Sequence, residues 1–204
     1  MKVYVARHGQ DEDNANGLLN GHRNKSLTEL GRKQAAELGR AWKDTGITVD
    51  AVFSSPLSRA FETAAIVAEI ASLPEPVAHP LLIERDFGIM TGTPVSDIKL
   101  NHRGAFLKAE IITYFLDPEN GETFDAVLKR VDTLLSELRK EYQNKSVAFF
   151  THGDLGKMVY ADFCRLPWQN VLKNFHFGNG ELLLLEDGVH PDMTHIVKLE
   201  QHNH

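Results

Sequence analysis

The stretch Val3-Tyr4-Val5-Ala6-Arg7-His8-Gly9 joins an uninterrupted apolar run to an arginine, a histidine and a glycine. A short run that is apolar throughout, rather than at every second residue, is typical of a strand covered on both faces of its sheet. Such sheets belong to α/β proteins, which bind their ligands beyond the carboxyl ends of the strands. The stretch therefore predicts a buried first strand that ends at a ligand site.

Later apolar runs extend this pattern along the chain. They predict strands at Ala51–Phe53, Val77–Leu82, Val147–Phe150, Leu182–Leu185 and His195–Leu199. The run at Val77–Leu82 is the weakest, since Pro80 interrupts it. Gly188 and Pro191 indicate a turn between the last two strands.

Amphipathic segments separate these runs. They predict helices at Thr28–Thr45 and Pro56–Ser72, a long helix that follows Gly121 and reaches Tyr142, and a shorter one after Gly153. The first helix has two candidate caps, because Ser26 has capping-box spacing to Glu29 and Thr28 could also serve. Pro56, behind two serines, is typical of a helix start. The order β-α-β-α-β, a helical insert and β-α-β-β predicts an α/β sandwich with a mainly parallel sheet.

The composition is that of a folded domain without covalent cross-links. The 204 residues are 42% apolar and 25% charged, which speaks against disorder and allows one domain with a substantial core. Cys164 is the only cysteine. It excludes an internal disulfide and a cysteine-based zinc site, and it suits a reducing compartment.

Net charge and hydropathy disfavour two classes of binding partner, nucleic acids and membranes. The net charge of −6 speaks against general nucleic-acid binding, which requires a basic face. No apolar run approaches the ~18 residues of a membrane span. The first residues have neither the charged leader nor the long apolar stretch of a signal peptide. We therefore expect a cytoplasmic protein with neither a nucleic-acid nor a membrane partner.

Polar groups follow three of the predicted strands, as Arg7-His8-Gly9, Ser54–Arg59 and Thr151-His152-Gly153. If these strands are parallel, two histidines and two arginines converge at one edge of the sheet. Helix N-termini at that edge would present backbone N–H groups to an anion, and arginine forks suit the oxygens of a phosphate. A single histidine after a strand is usually a loop residue whose hydrogen bonds are formed within the protein. Two His-Gly pairs together with Arg59 favour a site.

These motifs resemble the histidine phosphatase superfamily, the phosphoglycerate mutase-like proteins. The resemblance is strongest in Arg7–Asn14 and runs in one order along almost the whole chain, through Gly21, Ser26–Gly31 with Gln34-Ala35, Ser54–Ala60 with Glu62–Ala64, Leu82–Gly88, Gly121–Thr123 with Arg130, and Thr151–Gly153. It implies a three-layer α/β/α sandwich formed by one domain over residues 1–204. It also implies a helical insert at about 88–120 that covers the substrate.

The resemblance also implies a role for each matching residue. His8 would be the nucleophile that forms a phosphohistidine, and Glu84 would be the acid that protonates the leaving oxygen, with Glu12 and Asp86 as weaker alternatives. The phosphate pocket would consist of Arg7, Asn14, Gly21, Arg59, His152 and Gly153. No metal and no cofactor are expected, because the arginines would supply the positive charge.

Some residues depart from the family pattern. Gln10 stands where many relatives have glutamate, and Met90-Thr91-Gly92 replaces the common Trp-Glu-Gly. Asp154 stands where a second glycine is usual. Its carboxylate could weaken anion binding, raise the pKa of His152, or cap the next helix, and the cap is the preferred interpretation. Glu122 suits a helix N-terminus, and Thr123 beside it could line the pocket.

The favoured function is a phosphomonoester phosphatase acting on a small phosphorylated metabolite. Basic residues of the insert either meet a carboxylate or second phosphate of the substrate or form a solvated face: Lys99, His102, Arg103 and Lys108. The alternative is a phosphoglycerate mutase, but the mutases of the family carry a longer insert before the segment equivalent to Gly121.

Two further classes are less favoured. A non-enzymatic binding module on this fold is disfavoured because His8, Arg59 and Glu84 are all present. A histidine metal protein is disfavoured because only His202 and His204 lie close together in the sequence. The sequence is also compatible with a homodimer.

Overall fold

The computed structural model of the chain describes residues 1–110, 112–186 and 195–198. Its strands are β1 (Lys2–Arg7), β2 (Ala51–Ser54), β3 (Pro76–Ala78), β4 (Phe106–Lys108), β5 (Thr113–Phe115), β6 (Ser146–Thr151), β7 (Leu182–Leu185) and β8 (His195–Val197). Its α-helices are α1 (Glu12–Ala15), α2 (Glu29–Thr45), α3 (Ser58–Ala71), α4 (Ile98–Asn101), α5 (Phe124–Glu141), α6 (Gly153–Phe163) and α7 (Trp168–Asn174). Within these ranges, no helix is long and apolar enough to cross a membrane.

Six strands form the central sheet in the order β3-β2-β6-β1-β7-β8. The first four of these run parallel to one another, whereas β7 pairs antiparallel with β1, and β8 pairs antiparallel with β7. In the β1–β6 pair, Lys2 lies opposite Ser146 and Arg7 lies opposite Thr151. The prediction of an α/β sandwich with a mainly parallel sheet is therefore confirmed.

Alternate residues of β1 face opposite layers of helices, which explains why the run is apolar throughout. Val3 and Val5 belong to the core that β1 shares with α5 and α6. Tyr4 and Ala6 belong to the core that it shares with α2 and α3. Burial of a valine side chain stabilises the fold by roughly 1.5–3 kcal/mol, so both faces of this strand contribute to holding the three layers together.

The two longest helices begin at threonines. Thr28 caps α2, since its Oγ1 accepts the Gly31 N–H at 3.0 Å, which decides between the two candidate caps. Thr123 caps α5 in the same way, accepting the Ala126 N–H at 3.2 Å, and the pocket-lining role considered for it stays a prediction. The buried face of α5 is the predicted one: Phe124, Val127, Val131, Leu134, Leu135 and Leu138.

Element boundaries differ from the prediction near prolines. Helix α3 begins at Ser58 rather than Pro56 and has no side-chain cap. Strand β3 stops at Ala78, because Pro80 turns the chain into a 3₁₀ helix at Pro80–Leu82. The predicted end of the last strand and its turn, together with the C-terminal histidines, lie outside the described residues: Gly188, Pro191, Leu199, His202 and His204.

The insert at 88–120 is helical only in part. It contains 3₁₀ turns at Gly88–Met90 and Val95–Asp97, the short helix α4, and a hairpin formed by β4 and β5. Its apolar side chains are too sparse for one amphipathic helix, and the hairpin buries Leu107, Tyr114 and Phe115 instead. The short helices α1 and α7 were not predicted either.

Candidate active site

The carboxyl ends of β1, β2 and β6 meet at one edge of the sheet, as expected for parallel neighbours. The backbone N–H of His8 donates to Thr151 O at 3.0 Å, and that of Ser55 donates to Phe150 O at 2.9 Å. His8, Ser55 and His152 therefore follow three adjacent strands at the same level. This edge is where the sequence predicted a ligand site.

The loop that leaves β1 passes directly against the first turn of α2. A Cβ atom at Gly9 would overlap the carbonyl of Gly31, and one at Gly31 would overlap the carbonyl of Gln10. The Gly9 N–H also donates to Thr63 Oγ1 of α3 at 3.1 Å. Glycine at both positions thus permits the backbone contact that fixes the residue after His8.

His8 is held as a neutral imidazole with its lone pair on Nε2. Its Nδ1 lies 2.6 Å from Gly9 O, which can only accept, so Nδ1 carries the hydrogen. Its Nε2 accepts from Arg59 Nε at 3.3 Å. Burial, followed by the charges of Arg59 and Arg7, holds the pKa of His8 well below its usual value. The side chain is therefore uncharged and nucleophilic at neutral pH.

Arg59 forms the centre of the cluster, and its Nε is shared among three acceptors. This nitrogen donates to His152 Nδ1 at 3.2 Å as well as to His8, and it lies 3.2 Å from Asp11 Oδ2. Arg59 and Asp11 are both 0% exposed. Asp11 was not predicted as a site residue, although a buried guanidinium needs such a carboxylate.

The outer nitrogens of Arg59 are fixed by the loop after α1. One donates to Arg23 O at 2.7 Å and the other to Gly21 O at 2.9 Å. Gly21 therefore contacts Arg59 through its backbone carbonyl, and its own predicted contact with the phosphate stays a prediction. These bonds hold the guanidinium plane in one orientation beside His8.

His152 lies against His8, with ring centroids 5.1 Å apart. Its Nδ1 accepts from Arg59, so in the neutral ring Nε2 carries the hydrogen and donates to Ser55 Oγ at 2.8 Å. Burial, followed by Arg59, holds the pKa of His152 well below its usual value. The sequence analysis treated Ser55 as part of a helix start and missed this contact.

Arg7 borders the cluster at the N-terminus of α6. One outer nitrogen donates to Phe177 O at 2.7 Å, while the buried Nε has no partner among the described residues. A Cβ atom at Gly153 would lie 3.4 Å from Arg7 Cζ, so the helix backbone lies against the guanidinium. An unpartnered buried donor beside a helix N-terminus is the arrangement that an anion satisfies.

Asn14 connects to the cluster through Asn179, which the sequence analysis missed. The side-chain amide of Asn179 donates to His8 O at 2.9 Å and to Asn14 Oδ1 at 3.3 Å. Asn179 precedes β7, and the antiparallel pairing of β7 with β1 brings it here. Only knowledge of that pairing could have identified it.

Glu84 is buried at the start of α6 and acts as the cap of that helix. Its Oε1 accepts the N–H groups of Arg85 at 2.8 Å and Leu155 at 3.0 Å, and its Oε2 accepts that of Asp154 at 3.3 Å. Burial, followed by the charge of Asp154, raises the pKa of Glu84. A carboxyl group with a raised pKa can hold a proton for donation.

Asp154 does not cap α6, contrary to the preferred interpretation. Its Oδ2 accepts from Arg85 Nε at 2.9 Å, and the N–H groups it was expected to satisfy bond to Glu84 instead. Burial and Arg59 lower the pKa of His152, so the effect considered for Asp154 on this ring stays a prediction. The carboxylate of Asp154 acts on Glu84.

Arg85 is enclosed by aromatic rings as well as paired with Asp154. Its Cζ lies 4.8 Å from the ring centroid of Phe87, 4.4 Å from that of Phe115 and 4.3 Å from that of Phe124. Phe115 belongs to the insert hairpin and Phe124 to α5. This aromatic cage, formed by the three phenylalanines, fixes the position of Asp154.

A second clamp holds the loop that carries Glu84. Arg130 of α5 donates to Leu81 O at 2.9 Å, to Ile83 O at 2.7 Å and to Glu84 O at 3.3 Å. Both carboxylate oxygens of Glu122 accept from Arg130, at 3.1 and 2.8 Å. Glu122 therefore positions this loop through Arg130.

The alternative acids and insert cations lie in different surroundings. Glu12 is exposed and lies 3.5 Å from Lys25, and the half-buried Asp86 accepts the Gly88 N–H at 2.8 Å. Three of the insert cations are exposed, namely Lys99, Arg103 and Lys108. His102 is buried, with Nε2 3.0 Å from Asp117 Oδ1 inside the insert.

A large cavity lies away from this cluster. It measures about 510 Å³ and is at the amino ends of β1 and β6, opposite the edge that holds His8. Its lining residues are Met1, Lys2, Tyr4, Ile47, Thr48, Asp50, Asn144, Lys145, Ser146 and Glu186. None of the predicted site residues contributes to it, so the chemistry is argued from the cluster at the sheet edge.

Comparisons with known proteins agree with the geometry of the cluster. The family model of the histidine phosphatase superfamily, branch 1, matches residues 3–200. A 2,3-bisphosphoglycerate-dependent phosphoglycerate mutase of Methylobacterium sp. is 32% identical over 156 residues, covering 74% of this chain and 75% of the relative. A metal-independent phosphoserine phosphatase of Arabidopsis thaliana is 30% identical over 166 residues, covering 78% of this chain and 67% of the relative.

A solved structure extends this similarity to three dimensions. The phosphoserine phosphatase of Entamoeba histolytica, determined in complex with 3-phosphoglyceric acid, aligns with a TM-score of 0.76 at 26% identity. The alignment covers 90% of this chain and 89% of that one.

Proposed function

The chain belongs to the histidine phosphatase superfamily, branch 1, and we propose that it hydrolyses small phosphomonoesters through a phosphohistidine at His8. The observation that carries this proposal is the His8 imidazole, buried and neutral, with its Nε2 lone pair directed at Arg59. An uncharged nucleophile beside fixed guanidinium groups suits attack on an anionic phosphoryl group.

In the first step, Nε2 of His8 attacks phosphorus and the ester P–O bond breaks. The leaving oxygen takes the electron pair of that bond and the proton of the Glu84 carboxyl group. The imidazole becomes cationic, and the Nδ1–H bond to Gly9 O stabilises it. Arg7, Arg59, His152 and Asn14 surround the transferring group in this proposal, with Gly153 supplying the helix N-terminus.

In the second step, a water molecule attacks phosphorus and gives its proton to the Glu84 carboxylate. The P–N bond breaks, its electron pair returns to Nε2, and inorganic phosphate leaves. Glu84 thereby ends the cycle protonated, as it began. The raised pKa of Glu84 supports both halves of this cycle, because the group must bind a proton near neutral pH.

The Methylobacterium relative, a phosphoglycerate mutase by name, makes transfer to a second hydroxyl the alternative. Hydrolysis is supported by the partly exposed rim of the site, where Arg7, Gly153 and Asp154 reach solvent. Incubation with 3-phosphoglycerate decides between them. Release of inorganic phosphate supports the phosphatase, whereas conversion to 2-phosphoglycerate without phosphate release contradicts it.

A screen of small phosphorylated metabolites tests the function as a whole. Hydrolysis of several of them by the wild-type protein is the expected result, and hydrolysis of none would overturn the proposal. Cytoplasmic location belongs to the same proposal and is supported by the single cysteine, Cys164. The homodimer stays an open prediction.

Activity is expected to be independent of divalent metal. Arg7 and Arg59 provide the positive charge in this mechanism, so dialysis against a chelator should change turnover of an aryl phosphate by less than about twofold. The measurement is turnover before and after dialysis, with and without added magnesium or zinc. Strict dependence on either metal would rule out the proposed role of the two arginines.

Replacement of Asp154 by asparagine is expected to weaken the acid. Asparagine retains an oxygen that accepts from Arg85 Nε but removes the charge that raises the pKa of Glu84. The pKa of Glu84 should fall, so less of it is protonated at neutral pH. The high-pH limb of kcat/KM for an alkyl phosphate should move to lower pH.

The exposed Asp132→Asn of α5 is the matched control for this change, since it removes the same charge away from the site. Its pH profile should coincide with that of the wild type. A high-pH limb that stays in place in Asp154→Asn, or moves to higher pH, would show that Asp154 does not act on the acid.

A further inference from the structure

Lys157 of α6 is a buried cation that the mechanism does not use. Its side chain is only 3% exposed, and its Nζ donates to Tyr114 Oη at 2.7 Å. Among the residues that the structure describes, it forms no ion pair. A buried ammonium group is unfavourable unless a counter-charge compensates for its lost hydration. The ammonium group of Lys157 can therefore donate further hydrogen bonds to an anion and balance its negative charge.

The direction of the side chain follows from the register of α6. Position 157 lies four residues after Gly153 and thus on the same helix face. Gly153 lies against the guanidinium of Arg7. Helical side chains tilt toward the helix N-terminus, and the charge of Arg7 is among those that act on the ammonium group of Lys157. Tyr114, on β5 of the insert, closes the other side of this position.

The carboxylates that influence Lys157 are already engaged elsewhere. Asp154 pairs with Arg85, Glu84 accepts backbone N–H groups, and Glu181 accepts the Gly178 N–H at 2.7 Å. Burial, with a smaller contribution from the charge of Arg7, lowers the pKa of Lys157 to about 8 against the opposing effect of these three carboxylates. The lysine is therefore still largely protonated at neutral pH.

We propose that Lys157 and Tyr114 form a subsite for a carboxylate of the substrate, beside the phosphate bound at Arg7. The inference rests on the proposed function and narrows its substrate class to phosphorylated hydroxy acids or amino acids. One ammonium group is a single point charge, which suits a carboxylate, whereas phosphate oxygens are matched by an arginine fork. The hydroxyl of Tyr114 lets the insert hairpin contribute to this recognition.

The test compares Lys157→Met with the wild type on two substrates of similar size, 3-phosphoglycerate and glycerol 3-phosphate. Methionine keeps the length and apolar stem but removes the charge. For 3-phosphoglycerate, kcat/KM should fall by roughly 10- to 100-fold, mainly through KM, as for a lost charged hydrogen bond. For glycerol 3-phosphate it should change by less than about threefold.

Two controls keep the outcome interpretable. The exposed Lys173→Met of α7 makes the same substitution outside the site and should leave both substrates unaffected. Tyr114→Phe removes only the hydroxyl and should lower kcat/KM for 3-phosphoglycerate by roughly three- to tenfold. This second variant tests the subsite independently should Lys157→Met fold poorly, which its thermal unfolding would show.

The pH dependence of the wild type gives a second readout. The charge of Lys157 is present below its pKa and is lost as the pH rises through about 8. KM for 3-phosphoglycerate should therefore rise above that pH, and this rise should be absent in Lys157→Met. The groups that face the lysine and titrate or carry charge are Tyr114, Asp154, Arg7, Glu84, Glu181 and His176.

The outcomes separate this inference from the proposed function. A wild type that hydrolyses both substrates, with equal losses on both in Lys157→Met, overturns the carboxylate subsite and leaves the phosphatase standing. A greater loss on glycerol 1,3-bisphosphate than on 3-phosphoglycerate also overturns it, in favour of a second phosphate. A wild type that hydrolyses no phosphomonoester overturns the proposed function itself.

Discussion

Replacement of His8 by alanine is expected to lower phosphatase turnover by roughly 10⁴-fold or more while the protein stays folded. The variant loses the Nε2 lone pair that would attack phosphorus. We expect no substitution by neighbouring His152, because its Nε2 carries the hydrogen in the neutral ring and donates to Ser55 Oγ. Turnover of phosphate esters and thermal unfolding of both proteins provide the comparison.

Trapping of the intermediate makes this prediction specific. Wild-type protein quenched during turnover should carry acid-labile phosphate on His8, and His8→Ala should carry none. The matched control is His79→Ala, which removes a half-buried histidine beyond β3 and should retain wild-type turnover. Activity of His8→Ala within tenfold of the wild type, or phosphate trapped on another residue, would refute the assignment.

Glu84→Gln is expected to lower turnover of alkyl phosphates by roughly 10²- to 10⁴-fold, with a much smaller loss on nitrophenyl phosphate. An alkoxide needs a proton as it departs, whereas nitrophenolate does not. Glutamine keeps the oxygen that accepts the N–H groups of Arg85 and Leu155, although it loses the acceptor of the Asp154 N–H at 3.3 Å. The measurement is kcat for both substrate classes in both proteins.

Two other variants define what this result means. Arg59→Ala should slow both substrate classes alike, because it contacts the phosphoryl group that they share. Glu12→Gln changes the exposed alternative acid and should affect neither. If Glu84→Gln slows both classes equally, Glu84 would be positioning the phosphate, and the acid would have to be another residue.

The sheet and the centre of the site could be predicted because their signals are local. A strand buried on both faces must be apolar along its length. The apolar runs Val3–Ala6 and Val147–Phe150 can therefore be predicted as strands from the sequence alone. Parallel pairing then brings their polar ends together, and the structure brings His8, Arg59 and His152 into contact. Each of these inferences needs only one segment and one rule of sheet geometry.

The partners of these residues could not be predicted, because their roles depend on neighbours that are distant in the sequence. Asp11 becomes the counter-charge of Arg59 only once α1 and α3 face one another across the sheet edge. Asn179 reaches His8 only because β7 pairs with β1. The hairpin of the insert is likewise stabilised by burial against the remainder of the chain.

Asp154 illustrates the same limit in a single residue. An acidic residue in the first turn of a helix is usually a cap or a partner of the helix dipole, and its local sequence gives no reason to think otherwise. The buried Glu84 takes the backbone N–H groups first, so Asp154 pairs with Arg85 instead. Its effect on the pKa of the proposed acid depends on its contact with Glu84, which lies seventy positions earlier in the chain.

The aromatic cage around Arg85 has a consequence for how such an enzyme can diversify. Phe115 lies in the insert, yet through Arg85 and Asp154 it is connected to the carboxyl group of Glu84. Under the prediction that the insert covers the substrate, substrate choice and the strength of the proposed acid cannot be changed independently. Exchange of the insert for that of a relative would therefore change the pH optimum along with the substrate range, unless a phenylalanine were kept at the position of Phe115.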